Sequence, residues 1–241
     1  MQKNLENNAR KIQHQYYTQR AEEYDSRHLP DQAHEFALTW LVGLLGHYNI
    51  TSILDVGSGT GRVIRKLRNH RVNSSLYVLG IEPVEALREQ AYKQGIGKDE
   101  LIDGDATELK FPDGSFDLVC EFGALHHMRQ PDKAIAEMLR VSRKAIFISD
   151  SNIYASGPWL ERTVKQTLKT LRLWKIAQFI KTKGKFYKIT AGDGLWYPYS
   201  VYDNYAQIAR ACKHIHVLNT SEHGINPYRK CGHIALFAAK T

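Results

Sequence analysis

One short run constrains this chain more than any other: Ile53-Leu54-Asp55-Val56-Gly57-Ser58-Gly59-Thr60-Gly61, an apolar segment entering three alternating glycines. The aliphatic residues predict a buried strand, and the glycines predict a tight turn that opens a helix. Backbone in such a turn approaches a ligand closely because no β-carbon stands in the way, and a helix N-terminus behind it favours polar or anionic groups. A dinucleotide fingerprint, G-x-G-x-x-G, needs its third glycine one position later, where this chain has Arg62. The spacing therefore disfavours a dehydrogenase.

The rest of the chain is organised around that strand. Apolar runs at 52–56, 76–81, 116–120 and 145–149 read as buried parallel strands. Helical patterns at 61–70, 84–94 and 132–141 separate them, the last started by Pro131. Such alternation predicts a doubly wound α/β sheet. Ahead of it, Phe36, Leu38, Leu41, Leu44 and Leu45 recur at helical spacing over 31–47, and 7–25, with Tyr16, Tyr17 and Tyr24, reads as a helix and turn over a site, interrupted at Pro30. After Asp150 the alternation stops. A basic helical region follows, with Leu168, Leu171, Trp174 and Ile180 as its expected apolar stripe and Gly184 as its end. Residues 192–205 are dense in glycine and aromatics, 202–212 reads as a helix, and 216–219 and 233–239 read as an antiparallel strand pair closing the sheet.

At 241 residues the chain suits one large α/β domain with an embedded cap. Its longest apolar stretch, 36–46, falls far short of a spanning helix, and the polar N-terminus lacks the apolar core of a signal peptide, so a cytoplasmic location is expected. Cys120, Cys212 and Cys231 are odd in number and widely spaced, which predicts reduced thiols and neither a disulfide framework nor a zinc site. The net charge of +8 is concentrated: nine Lys and Arg residues lie between 151 and 190 against Glu161 alone. Either an anionic partner or a solvated helix face explains such a run.

Three further stretches extend the pattern of the glycine turn. The second strand ends at Gly80-Ile81-Glu82-Pro83, then comes Gly104-Asp105-Ala106, and Phe111-Pro112-Asp113-Gly114-Ser115-Phe116-Asp117-Leu118-Val119 leads to Glu121-Phe122-Gly123-Ala124-Leu125-His126-His127. In this order they resemble class I S-adenosylmethionine-dependent methyltransferases, in particular the ubiquinone/menaquinone-biosynthesis branch, whose N-terminal cover the segment Tyr16-Tyr17-Thr18-Gln19-Arg20-Ala21-Glu22-Glu23-Tyr24-Asp25 is also similar to. The resemblance covers residues 14–150. It implies a Rossmann-like, mostly parallel seven-stranded sheet with a C-terminal antiparallel hairpin and a helical, aromatic cap. The expected division is a cofactor-binding core with its N-terminal cover at 1–150, a basic substrate cap at 151–212, and the last strands of the sheet at 213–241.

Residue by residue, the resemblance implies S-adenosyl-L-methionine as cofactor, with S-adenosyl-L-homocysteine as product. Asp55, Gly57 and Gly59 are expected near its methionine part, with Ser58, Thr60 and Gly61 of the same turn also at the cofactor, Glu82 on the ribose hydroxyls, Pro83 packing against the adenine or shaping the loop, and Asp105 and Ala106, beside Gly104, at the adenine. Tyr16, Arg20, Glu121, Phe122, Gly123 and His126 complete the expected cofactor contacts. Asp117 is expected to fix the start of its strand, and Arg62 to point outward from the first helical turn.

Methyl transfer from a sulfonium needs alignment more than an elaborate catalytic set. For a hydroxyl, phenol or activated-carbon acceptor a general base helps, and histidine suits that task near neutral pH. His127 is the candidate base or substrate contact. The competing reading has one histidine of the pair packing on the cofactor and the other capping the next loop. Tyr24, Trp196, Tyr197 and Tyr199 are candidates for a substrate pocket that orients a polar acceptor, although core packing explains such residues equally well. Asp193 and Asp203 could pair with a cationic substrate. His214, His216 and His223 show no ligand spacing, so no metal is expected. A small-molecule acceptor is therefore expected, O- or C-methylated, anionic or held on a carrier protein. RNA is disfavoured by the lack of an Asn-Pro-Pro-Tyr-like or catalytic-cysteine motif, and a non-catalytic cofactor-binding protein is the remaining alternative.

Overall fold

The apolar run ahead of the glycines forms the central strand of a seven-stranded sheet. The structure is a computed structural model that describes residues 2–28, 31–70, 76–221 and 226–240, with side chains from residue 8 and without that of residue 70; Pro30 and His223 lie outside them. In chain order the elements are α1 (Gln2–Arg20), α2 (Tyr24–His28), α3 (Gln32–His47), β1 (Ser52–Val56), α4 (Arg62–His70), β2 (Tyr77–Ile81), α5 (Glu85–Lys93), β3 (Leu101–Ile102), β4 (Phe116–Phe122), α6 (Pro131–Val141) and β5 (Ser142–Ser151). The cap and closing strands follow as α7 (Trp159–Thr170), α8 (Trp174–Lys181), β6 (Lys188–Thr190), β7 (Gly194–Trp196), α9 (Tyr205–Ala211), β8 (His214–Asn219), α10 (Pro227–Lys230) and β9 (His233–Ala239).

The sheet runs β3-β2-β1-β4-β5-β9-β8. The first five strands are parallel, and β9 pairs antiparallel with both β5 and β8. Both faces are covered, and the period-2 alternation of the strands shows why. Ile53, Leu118, Phe147 and Phe237 pack under Leu38, Leu41 and Leu45 of α3 and Leu67 of α4. Their neighbours Leu54, Val119, Ile146 and Leu236 face the other way, against Ile135 and Met138 of α6 and Ile208 of α9. Asp117 ties the start of β4 to its neighbours, accepting from the Thr51 amide at 2.9 Å and the Thr51 hydroxyl at 2.8 Å.

Strand order reverses between β1 and β4, and the C-terminal ends of these strands therefore open a crevice at the switch point. α1 crosses over it and packs on β7 and α5. Among the described residues, no helix is long and apolar enough to cross a membrane. All three cysteines are buried and none forms a disulfide.

The basic region differs from its expected form. It is two helices, broken at Leu171–Leu173, where Arg172 takes a left-handed φ of 61°. Its expected stripe faces the protein only in part: Leu168 is half-buried and Trp174 packs edge-on to the buried Tyr154, but Leu171 is 60% exposed and Ile180 71% exposed. Polar side chains turn inward as well, Lys165 among them, whose ammonium donates to the Ser156 carbonyl at 3.0 Å and pairs with Glu161. The glycine- and aromatic-rich segment contains an unforeseen hairpin, β6–β7, and the helix expected over 202–212 starts as a 3-10 turn at Val201–Asp203 capped by Ser200.

Candidate functional site

The glycine turn leaves β1 in a conformation that only glycine holds without strain. Gly57 has φ 72° and a β-carbon there would stand 2.6 Å from that of Ala124; Gly59 has φ 57° and its β-carbon would stand 2.7 Å from the Tyr24 hydroxyl. The turn thus lies flush against the loop after β4 and against α2, with no room for a side chain between them.

Two cavities meet above it. The larger, about 410 Å³, is lined by Glu82, Pro83, Gly104, Asp105, Ala106 and Tyr197, with Arg10, Gln13 and His14 of α1 as its roof. The smaller, about 180 Å³, is lined by Asp55, Ser58, Thr60, Arg62, His126 and Asp193, among others. Tyr17, Tyr24, Gly57, Phe122, Gly123 and His127 line both and form their junction.

In the larger cavity Glu82 is 6% exposed and accepts from the Gly59 amide at 3.0 Å and the Val84 amide at 2.9 Å. Each carboxylate oxygen keeps a further lone pair for a donor such as a sugar hydroxyl. Burial raises the Glu82 carboxyl to about 7, against the opposing pull of those two amides. Asp105 accepts from the Thr107 amide at 2.8 Å and pairs at 2.5 Å with Arg10, so α1 is tied down at the base end of the cavity.

In the smaller chamber Asp55 is 2% exposed and accepts from the Ser58 hydroxyl at 2.5 Å; burial raises it to about 6. Arg62 does not point outward. Its guanidinium turns back under α2 to the His28 carbonyl, which anchors one end, and its other terminal nitrogen, Nη1, is buried without a hydrogen-bond partner among the described residues. A buried cationic donor left in this state is costly unless something anionic meets it.

Five histidines line the chamber: His28, His34, His126, His127 and His233. Burial pushes His28, His34, His127 and His233 down, so they are neutral near pH 7. His126 is the exception. Burial opposes its charge, but the Asp150 carboxylate at 2.7 Å from Nδ1, aided by Asp193 at 3.3 Å from Nε2, raises it to about 10. Asp150, fully buried at the end of β5, is held down by the same pairing and also accepts from the Leu125 and His126 amides. Beside it Glu121 is buried, and burial together with the neighbouring Asp150 charge drives its carboxyl well up.

His127 is oriented from both sides. Its Nδ1 lies 2.7 Å from the Leu195 carbonyl, which fixes the proton there, and its Nε2 is 3.0 Å from the Tyr17 hydroxyl. The Nε2 lone pair of a neutral imidazole therefore accepts from the Tyr17 hydroxyl at the junction of the two cavities. Asp193, in the turn of the β6–β7 hairpin, approaches both His126 and His127. Among the described residues these three are the only group with donors clustered as a metal site would need. All three side chains already have partners, in a network charged by one imidazolium and two carboxylates.

Several expected residues stand behind the walls rather than in them. The Tyr16 hydroxyl donates to the Ala191 carbonyl at 2.8 Å, and Arg20 lies over the Tyr16 ring. Gly59, Gly61 and Glu121 shape the turn and the strand end without lining either cavity. Trp196 pairs with Lys188 in the hairpin ladder, and Tyr199 is packed in the core with its hydroxyl on Asn204 at 3.0 Å. Asp203 pairs with Lys169 and accepts from Tyr154, away from the site. Sequence reasoning missed Arg10, Arg62 and Asp150 as site residues and placed Tyr17 only on the helix over the site; each acquires its position from an element distant in sequence.

Residues 54–147 match a family model described as a methyltransferase domain. An uncharacterized methyltransferase of Bacillus subtilis is 32% identical over 105 residues, 44% of this chain and 46% of that protein. Ajmaline N-methyltransferase of Rauvolfia serpentina is 31% identical over 134 residues, 51% of this chain and 46% of that protein. The chain spans about half the length, or less, of the curated relatives it matches. A solved S-adenosylmethionine-dependent methyltransferase from Thermotoga maritima superposes with a TM-score of 0.57 at 17% identity, covering 94% of this chain and 99% of the other, a likeness of fold.

Proposed function

We infer, from a chain that carries a class I S-adenosylmethionine-dependent methyltransferase domain, that it transfers the methyl group of S-adenosylmethionine to a hydroxyl of a small acceptor held beside Tyr17 and His127. The observation that carries this reading is the junction itself, where a neutral, oriented imidazole stands beside the glycine turn on the wall shared by the two cavities.

The residues present fit the nucleoside. Glu82 offers two buried carboxylate oxygens for the ribose, Asp105 a carboxylate at the base end, and the unpartnered Arg62 nitrogen a seat for the methionine carboxylate. When bound, the sulfonium supplies an electrophilic methyl group and a neutral thioether leaving group. The protein would exclude water under α1 and hold the acceptor hydroxyl as a donor to the Tyr17 oxygen, whose own proton already points at His127 Nε2; the acceptor's proton passes to Tyr17 as the Tyr17 proton passes to Nε2. The Leu195 carbonyl, on Nδ1, holds that imidazole in place. The polar lining of the smaller chamber suits a compact polar acceptor, and an anionic one would gain from the imidazolium of His126.

Incubation with methyl-labelled S-adenosylmethionine and the small-molecule fraction of a cell extract tests the reading. A labelled low-molecular-weight product is expected, lowered about a hundredfold or more in His127→Ala while S-adenosylhomocysteine still binds. Label appearing in RNA alone, or binding without any transfer, contradicts it.

A further inference from the structure

The outer face of α7–α8 is inverted relative to an ordinary surface helix. On a helix of a soluble protein the apolar stripe faces inward and the charges face water. Here Lys165, Gln178 and Thr182 are buried, and Gln166 donates to the Tyr154 and Arg229 carbonyls, so the polar side of the pair is spent on the protein. The outward side of α7, at the helical spacing of Leu160, Val164, Thr167 and Leu171, carries no charge. Leu160 is 66% exposed, and on α8 Ile176, Phe179 and Ile180 are 58%, 55% and 71% exposed. Most of the large apolar side chains that the described residues expose lie in this one pair of helices and its flanks.

On α8, in the break before it and in the stretch after it stand exposed cations: Arg172, Lys175, Lys181, Lys183, Lys185 and Lys188. The only acid between 151 and 190, Glu161, is already paired with Lys165. We propose that the α7–α8 face is a docking surface for an anionic lipid bilayer, on which it lies without crossing. Its apolar side chains enter the boundary between headgroups and acyl chains, and the cations meet the lipid phosphates. The charge selects this occupant over a second copy of the chain, because two such faces pressed together would oppose one set of cations with another. It also gives the basic run a role that neither Lys165 nor Lys169 can supply, both being paired within the fold.

Co-sedimentation of the full chain with vesicles tests this. Binding is expected to vesicles of phosphatidylcholine and phosphatidylglycerol, to weaken steeply with added salt, and to be far weaker on phosphatidylcholine alone. Replacing Lys175, Lys181 and Lys183 by Gln is expected to cost about a hundredfold in affinity, and Ile176→Ser with Phe179→Ser and Ile180→Ser is expected to abolish binding. In both variants the thermal shift given by S-adenosylhomocysteine reports the fold and the nucleoside site separately. Wild-type protein that ignores anionic vesicles overturns the proposal, as does a triple Ser variant that binds them undiminished. Conversion of a wild-type dimer to a monomer by the Ser substitutions, without vesicle binding, also overturns it and assigns the face to a second copy; so does capture of an acidic carrier protein without vesicle binding.

Discussion

The hydroxyl of Tyr17, carried by the helix that roofs the site, lies 3.0 Å from Nε2 of His127, which follows the fourth strand of the sheet. The contact joins the N-terminal cover to the reactive end of the crevice, so the cover is part of the site. Removing the ring by Tyr17→Ala is expected to lower turnover more than Tyr17→Phe does, because the ring also packs edge-on to Tyr24 and His127. Steady-state rates of the two variants, measured once an acceptor is in hand, check this; equal losses contradict it.

Nucleoside affinity is expected to depend on pH through Glu82. Its carboxyl titrates at about 7 in the free protein, and the charged form is the one that accepts ribose hydroxyls. S-adenosylhomocysteine binding should therefore weaken as pH falls below about 7, by at most about tenfold per pH unit. Glu82→Gln should bind weakly with most of that slope removed, leaving only a smaller step nearer the value of about 6 for Asp55. Calorimetric titration from pH 5.5 to 8.5 reads both, and a wild-type profile flat across that range contradicts the assignment.

The Arg62 seat for the methionine carboxylate has its own signature. Arg62→Gln is expected to weaken S-adenosylhomocysteine about tenfold to a hundredfold, the scale of one charge-assisted hydrogen bond. Adenosine, which lacks the carboxylate, should bind the variant as it binds the wild type. Equal losses for the two ligands would place the guanidinium elsewhere.

The His126–Asp150 pair should make stability pH-dependent. His126 is raised above its ordinary value of 6.5 to about 10, so its stabilising contribution is complete below 6.5 and is lost as pH rises toward 10. Asp150 is lowered from 3.8, so its contribution is present above that value and is lost in stronger acid. The pair therefore stabilises most between pH 4 and 6.5. Asp150→Asn is expected to cost about 3–5 kcal/mol there, because it strands a buried charge. The difference from wild type should shrink by pH 9.5. Urea unfolding at pH 6 and 9.5 measures this, and a constant difference contradicts it.

Much of the fold is legible in the sequence, for identifiable reasons. Strands at 52–56 and 233–239 are aliphatic runs ended by turn residues, and helices at 61–70, 84–94 and 132–141 carry a 3.6-residue stripe, so local pattern and tertiary burial agree. β3 escapes because two residues, Leu101 and Ile102, carry no period. The β6–β7 hairpin escapes because Lys188-Ile189-Thr190 is exposed on every residue and lacks the inside-outside alternation of a buried strand.

The site is legible where motif and position coincide, as at Gly57, Glu82 and Asp105, all of which line the larger cavity. It is illegible where a partner distant in sequence decides. Arg62 turns inward only because the end of α2 offers a carbonyl, and part of the stripe of α7–α8 turns outward only because Ser156, Tyr154 and Asp203 hold its polar side. No local periodicity reports either event.

Calorimetric titration of the full chain with S-adenosylhomocysteine tests the central claim most directly. The account predicts saturable binding at one site, lost in Gly59→Ala, whose added methyl group would meet the Tyr24 hydroxyl, and in Glu82→Ala. Absence of uptake by the wild type, or undiminished uptake by both variants, would contradict it.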